Sequence, residues 1–273
     1  MNLNIPGIEP AKLKQALDNI GSLPKNEQIE LLQLLDALEA KTQLTKRQNT
    51  FLDFVNHVYP GYKVGAHHEK LAKIFEEIAQ GKKKRVIVNI APRHGKSELI
   101  SYLAPAWFLG KYPHKKIIMA SHTADLAVNF GRRVRNLVGS DPYKDIFPGV
   151  ELQADSKSAS RWGTNYNGEY FAIGVGGALA GRGADLFIID DPHSEQDAKL
   201  GKPEVFLPAW EWFQSGPIQR LMPGGAIIVV MTRWSKLDLT GQIINQMVKN
   251  DEVDEWEVVE FPAIIEDKGG NEA

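Results

Sequence analysis

No cysteine occurs among the 273 residues. Its absence excludes a disulfide framework, a cysteine-ligated zinc site and a thiol nucleophile, and it fits a reducing compartment. No apolar run approaches the roughly 18 residues needed to span a bilayer, and residues 1–10 lack the charged and then apolar regions of a secretory signal. The expectation is a cytosolic chain with no membrane partner. Excess charge of one sign is missing too. With a formal net charge of -2 there is no bulk attraction to nucleic acid, so any DNA contact must come from a local basic surface. Neither internal repeats nor low-complexity segments are present. What is there, 43% hydrophobic and 24% charged residues, suffices for one large folded domain with a small appendage.

The apolar spacing is helical at first. Leu13, Leu17 and Ile20, then Ile29, Leu32, Leu35 and Leu38, predict a helical hairpin or a pair of helices broken over 21–24. A mixed segment over 51–62 contains Pro60-Gly61, and a helix is predicted over 66–80 with Leu71, Ile74, Phe75 and Ile78 on one face. From Arg85 the period changes. Short β-branched runs over 86–90, 116–120, 186–189 and 226–231 alternate with helical patterns over 97–109, 123–138 and 237–248. Continuous apolar strands separated by helices predict an α/β, three-layer fold with a mostly parallel central sheet. Segments 159–164 and 170–174, joined by Asn165-Tyr166-Asn167-Gly168, read as a β-hairpin, and 256–261 as a last strand.

The chemistry begins after the first strand, at Ile90-Ala91-Pro92-Arg93-His94-Gly95-Lys96-Ser97-Glu98, where a helical pattern opens at once. Phosphate binding needs converging backbone N–H groups and a helix N-terminus aimed at the charge. Gly95 permits close approach, Lys96 reaches the outer phosphates, and the Ser97 hydroxyl suits magnesium. The usual pattern has a glycine where Ile90 stands, so this is a variant loop; a helix cap that happens to spell Gly-Lys-Ser is the alternative. A second apolar strand closes in Asp190-Asp191-Pro192. There Asp190 would hold the metal and Asp191 would orient or deprotonate water, although adjacent aspartates before proline also suit a turn. A third strand ends in Thr232-Arg233-Trp234, either a γ-phosphate sensor or a polar strand end.

These elements in this order resemble the N-terminal ATPase domain of phage terminase large subunits, the motors that pump DNA into procapsids. The resemblance covers roughly 45–265. It rests on the run 91–98, on Ala120-Ser121-His122, Asp125-Leu126-Ala127 and Arg135, and on Phe147-Pro148-Gly149. It rests also on Gly174-Val175-Gly176-Gly177, on Gly181-Arg182-Gly183-Ala184-Asp185 leading into Ile188-Ile189-Asp190-Asp191-Pro192, and on Met231-Thr232-Arg233-Trp234. Terminases place an arginine inside the loop and omit the leading glycine, which accounts for Arg93 and Ile90. The resemblance implies a P-loop NTPase fold of RecA-like (ASCE) type, with ATP and Mg2+ as ligands and hydrolysis coupled to translocation of double-stranded DNA. Pro92, Arg93, His94, Gly95, Lys96, Ser97, Glu98 and Thr232 would line the nucleotide, and Ser97 and Asp190 would hold the metal.

Asp191, where many terminases have glutamate, would be the base, with Glu195 as the other candidate. Arg93 would contact the γ-phosphate, Thr232 would couple hydrolysis to movement, and Arg182 would act on a neighbouring subunit's site. Gln48 or the pair His67-His68 would read adenine. The implied partners are a portal protein, a small terminase subunit and further copies in a ring, in the host cytoplasm. The implied division is a helical extension or lid over 1–65, the ATPase domain over 66–265 and a truncated linker over 266–273, with the nuclease domain absent. Lys82-Lys83-Lys84-Arg85 and Arg132, Arg133 and Arg135 are the densest basic clusters. They suit DNA phosphates, or equally a charged turn and a solvated helix face. A helicase-type ATPase, or an assembly module that binds ATP with little turnover, are the rival functions.

Overall fold

The computed structural model describes residues 19–155, 158–200, 202–250 and 254–262. A short 3-10 turn, Ile20–Ser22, falls at the expected break; Leu13 and Leu17 lie outside the described residues. A single helix, α1 (Lys25–Asn49), follows, and its first half is not packed: Ile29 and Leu32 are exposed. Helices α2 (Phe51–Val58) and α3 (Ala66–Ala79) come next. Phe51, Phe54 and Val55 are fully buried in the main core, so packing with the sheet begins before residue 65.

Strand β1 (Arg85–Ile90) leads through the loop into a widened helical turn, Glu98–Leu103, continuous with α4 (Ala104–Lys111). The π-type turn has a local cause. Pro105 has no N–H to offer the carbonyl one turn back, and its ring would crowd an α-turn there. The chain accommodates it with an Ala104 N–H donated to Leu99 O. Next come β2 (Lys116–Ser121), α5 (Ala124–Val138), α6 (Asp141–Lys144), β3 (Arg161–Gly163), β4 (Glu169–Gly174) and β5 (Ala184–Asp190). The chain continues with α7 (Glu195–Leu200), α8 (Leu207–Ser215), β6 (Leu221–Met231), α9 (Leu239–Lys249) and β7 (Glu257–Phe261). Strand β6 starts earlier than its apolar run: Leu221 pairs with Ala184, and Met222, Pro223, Gly224 and Gly225 form an irregular bulge before the ladder with β5 resumes at Ala226 and Leu186.

The seven strands lie in the order β3-β4-β2-β5-β6-β1-β7. Every pairing is parallel except β3 with β4. The hairpin is thus no separate element: β4 also pairs along β2. Alternate residues feed the two faces. Val86, Val88, Leu186, Ile188, Ile228 and Val230 pack beneath α2 to α5, while Ile87, Phe187, Ile189, Ile227 and Val229 pack against α8 and α9. This is the three-layer, mostly parallel fold expected. Strand β6 stands between β1 and β5, so β1, β6 and β5 end side by side at the carboxyl edge, where α/β folds bind ligands.

Trp107 ties the N-terminal helices to this frame. It is fully buried, lies against Phe51 and Phe75, and donates its indole N–H to Gln48 O at 3.2 Å. Trp107→Ala is expected to cost roughly 3–5 kcal/mol in urea denaturation, through the cavity and the lost hydrogen bond.

Candidate active site

At the end of β1 the chain makes a compact loop. Arg93 and Gly95 adopt positive φ, 64° and 73°. Gly95 has a second reason to be glycine, because a Cβ there would lie 2.5 Å from His68 Nε2. The N-terminus of α3 thus roofs the loop. His68 Nδ1 accepts the Gly65 N–H at 3.0 Å, which leaves its Nε2–H to donate to His94 O, also at 3.0 Å. His67 Nε2 lies 3.1 Å from the same carbonyl. Burial first, then His67, lowers the pKa of His68, which favours the neutral ring. Of the two places considered for adenine reading, only the histidine pair reaches the loop. The Gln48 amide is instead donated to Ile146 O at 2.8 Å.

Past the apex, Lys96 is 7% exposed and its Nζ lies 2.8 Å from Asp191 Oδ2. Beside this ion pair, Ser97 Oγ donates to Asp190 Oδ1 at 3.0 Å, and Ser101 Oγ donates to Asp190 Oδ2 at 2.7 Å. Asp190 is 1% exposed. Burial, and then the charge of Asp191, raises its pKa well above the ordinary carboxylate range, against the pull of the two hydroxyls and Lys96. The donors fit a hard divalent cation: a hydroxyl and a carboxylate, oxygen only, at the mouth of a phosphate loop. Among the described residues no cluster of three or more His, Cys, Asp or Glu can hold a metal. A magnesium site takes one or two protein ligands and completes its shell with phosphate and water.

Asp191 is held as tightly as it is placed. Its φ is 42°, a left-handed conformation that costs a non-glycine residue roughly 1–2 kcal/mol. Its N–H is donated to Val230 O at 3.0 Å, its carbonyl accepts the His122 N–H, and its Oδ1 accepts the Thr232 N–H at 3.0 Å. Thr232 Oγ1 in turn donates to Ile90 O at 3.3 Å. One residue therefore joins the ends of β1, β5 and β6. Arg233 is turned aside: its Nε donates to Asp238 Oδ2 at 3.1 Å and its Nη2 to Ser235 O at 3.2 Å. Asp238, fully buried, also caps α9 by accepting the Gly241 N–H at 2.8 Å.

The remaining candidates lie apart. Glu98 pairs with Arg133, whose guanidinium stacks 4.0 Å from the Tyr102 ring centre. Pro92 and Arg93 are exposed at the apex, and Arg93 has no hydrogen bond or ion pair among the described residues. Glu195 is fully exposed and paired with Lys199 at 2.7 Å. Arg182 precedes β5 at the opposite edge of the sheet, with Nη1 3.0 Å from Glu169 Oε1 and its guanidinium 3.7 Å over Phe171. It does not reach the phosphate loop of its own chain. Lys83 is paired with Glu77 and Glu257, and Arg85 with Asp254, so the basic clusters are partly neutralised. Ser101 and Asp238 were not singled out in the sequence. Ser101 carries a usable signal, standing one helical turn after Ser97.

A phosphate-loop strand and a carboxylate strand separated by a third, with their ends bonded together, define a RecA-like P-loop fold. Residues 87–201 match the family model described as terminase large subunit, T4likevirus-type, N-terminal. That segment runs from β1 through α7 and is less than half of the chain. No curated protein matches significantly. Among solved structures, the HK97 bacteriophage large terminase is 16% identical, over 76% of this chain and 42% of that one, with a TM-score of 0.50. The Thermus phage P74-26 large terminase ATPase domain is 17% identical, over 65% and 68%, at 0.42. The large terminase of another thermophilic bacteriophage, solved with ADP, is 10% identical, over 69% and 44%, at 0.40. The chain therefore spans less than half of the HK97 protein's length.

One neighbour of the site responds to pH. His193 is 4% exposed, its Nε2 accepts the Leu239 N–H at 2.9 Å, and its ring meets Phe206 edge-on. Burial lowers its pKa, against the opposing pull of Asp238, Asp197 and Asp191. Below the ordinary histidine value near 6.5 the unfolded chain then binds the proton first, so stability falls as pH drops through that value. Urea melts from pH 7.5 to 5.5 should show a smaller acid loss in His193→Gln than in the unmodified chain.

Proposed function

We propose that this chain is the ATPase part of a DNA-packaging motor, hydrolysing ATP to move double-stranded DNA. The observation that carries the reading is the paired arrangement at the sheet edge: Lys96 on Asp191, and Ser97 on Asp190. A cation for phosphate bonded to a second carboxylate for water, and an oxygen pair for magnesium, meet at the ends of β1 and β5. The terminase family match of residues 87–201, which contain all four of these side chains, supports the same assignment.

The buried Lys96 has Asp191 as its counter-ion. An ATP γ-phosphate offers Lys96 a stronger charge partner, and Asp191 Oδ2 is then released to accept a proton from the attacking water. Ser97 and Asp190 would hold Mg2+, whose charge offsets that developing on the phosphate oxygens. Arg93, unpaired at the loop apex, supplies further positive charge toward the γ-phosphate. Thr232 donates its N–H to Asp191 Oδ1 and leads directly into the Asp238 turn, so a change at Lys96 would reach the cap of α9 through that turn. Double-stranded DNA, a portal, a small subunit and a ring of copies are the corresponding partners, with Arg182 the residue a neighbouring copy would offer.

Lys96→Ala is expected to abolish ATP binding in a fluorescent-nucleotide titration, and equal turnover in that variant would sink the phosphate-loop assignment. Asp191→Asn should bind ATP yet lose about 100-fold or more in turnover, measured with and without double-stranded DNA at concentrations that favour assembly. If the unmodified chain binds ATP but never turns it over under those conditions, it is an assembly module and not a motor.

A further inference from the structure

The carboxylate of Asp190 has two oxygens and two different holders. Oδ1 takes the hydroxyl of Ser97, which stands in the phosphate loop where an incoming ligand competes for it. Oδ2 takes the hydroxyl of Ser101, which is fully buried one turn deeper. Two further hydroxyls belong to the same face of the sheet. Ser121 is the register partner of Asp190 on β2, and Tyr170 is buried in the core on that side. Both hydroxyl oxygens are buried without a hydrogen-bond partner among the described residues. Ser101 is thus the one side chain among the described residues that donates to Oδ2.

We propose that Ser101 is a positioning residue for the metal end of the site: it fixes the rotation of the Asp190 carboxylate so that Oδ1 faces Ser97 and the loop, whatever the loop contains. The inference rests on reading Ser97 and Asp190 as the magnesium holders of an ATP site. Without Ser101, a fully desolvated carboxylate oxygen has no donor, and the group gains freedom to turn its oxygens away from the loop. A hydrogen bond to a charged acceptor contributes enough to shift binding by about tenfold. The loss belongs to the metal-dependent part of nucleotide binding, because the Ser101 hydroxyl bonds to Asp190 and not to Lys96 or the loop.

The test uses Mn2+ as a paramagnetic probe, with the free ion measured by electron spin resonance in the presence of a non-hydrolysable ATP analogue. Analogue binding in EDTA is measured alongside, with thermal melting as a check of folding. Ser101→Ala is expected to weaken Mn2+ binding about tenfold and leave binding in EDTA unchanged. Ser101→Cys, a weaker donor of similar shape, should fall between, and Ser101→Thr should return toward the unmodified value. A folded Ser101→Ala whose Mn2+ titration coincides with the unmodified chain overturns the proposal. So does an equal loss with Mn2+ and in EDTA, which marks a merely structural role. If Ser101→Ala does not melt cooperatively, Ser101→Cys decides by the same criteria. Should the unmodified chain show no Mn2+-strengthened analogue binding, the reading of the site itself fails, and Ser101 falls with it.

Discussion

The buried Lys96 side chain has the Asp191 carboxylate 2.8 Å away. A buried ammonium without a partner is costly, and a phosphate loop must contain one even when no phosphate is there. Much of the site follows from meeting that need. Asp191 must leave the ladder of β5 to reach the lysine, and it does so in a left-handed conformation. That conformation is held by backbone contacts with Val230 and His122 and by the N–H of Thr232. Thr232 is itself anchored to the carbonyl before the loop.

The sequence carried the frame because both of its signals are local. Apolar runs of four to six residues between helical patterns admit few arrangements other than a parallel sheet covered on both faces. Gly95-Lys96-Ser97 and Asp190-Asp191 sit where those runs stop, so their convergence at one edge follows from the fold class. What stayed hidden depends on side-chain direction. Arg233 reads either as a residue facing phosphate or as part of a polar strand end, and Asp238, five positions on, captures it. Arg133 read as part of a basic surface and is turned inward onto Glu98 and Tyr102. Spacing shows which residues share a helix face but not which acid several strands away will claim a guanidinium.

Other misses have a backbone origin. The early start of β6 is hidden by Pro223, Gly224 and Gly225, residues usually read as a turn. They are tolerated because they fall in a bulge of the pairing with β5, where no ladder hydrogen bond is needed. The helix after the loop is read correctly as a helix, but its widened turn answers to Pro105, whose effect is felt several residues upstream. Arg182 lies at the sheet edge opposite the loop, a placement that linear proximity to the carboxylate strand obscured.

Strand β6 has its neighbours from opposite halves of the site, β1 on one side and β5 on the other. A slip of one residue along either ladder would turn Thr232 to the far face of the sheet, breaking its bonds to Ile90 and Asp191 together. The sheet thus behaves as a keyed joint: it sits in register or it is disengaged, with no graded position between. The Asp238 turn and α9, which hang from the end of β6, are joined to the loop through Thr232 and lie outside both ladders.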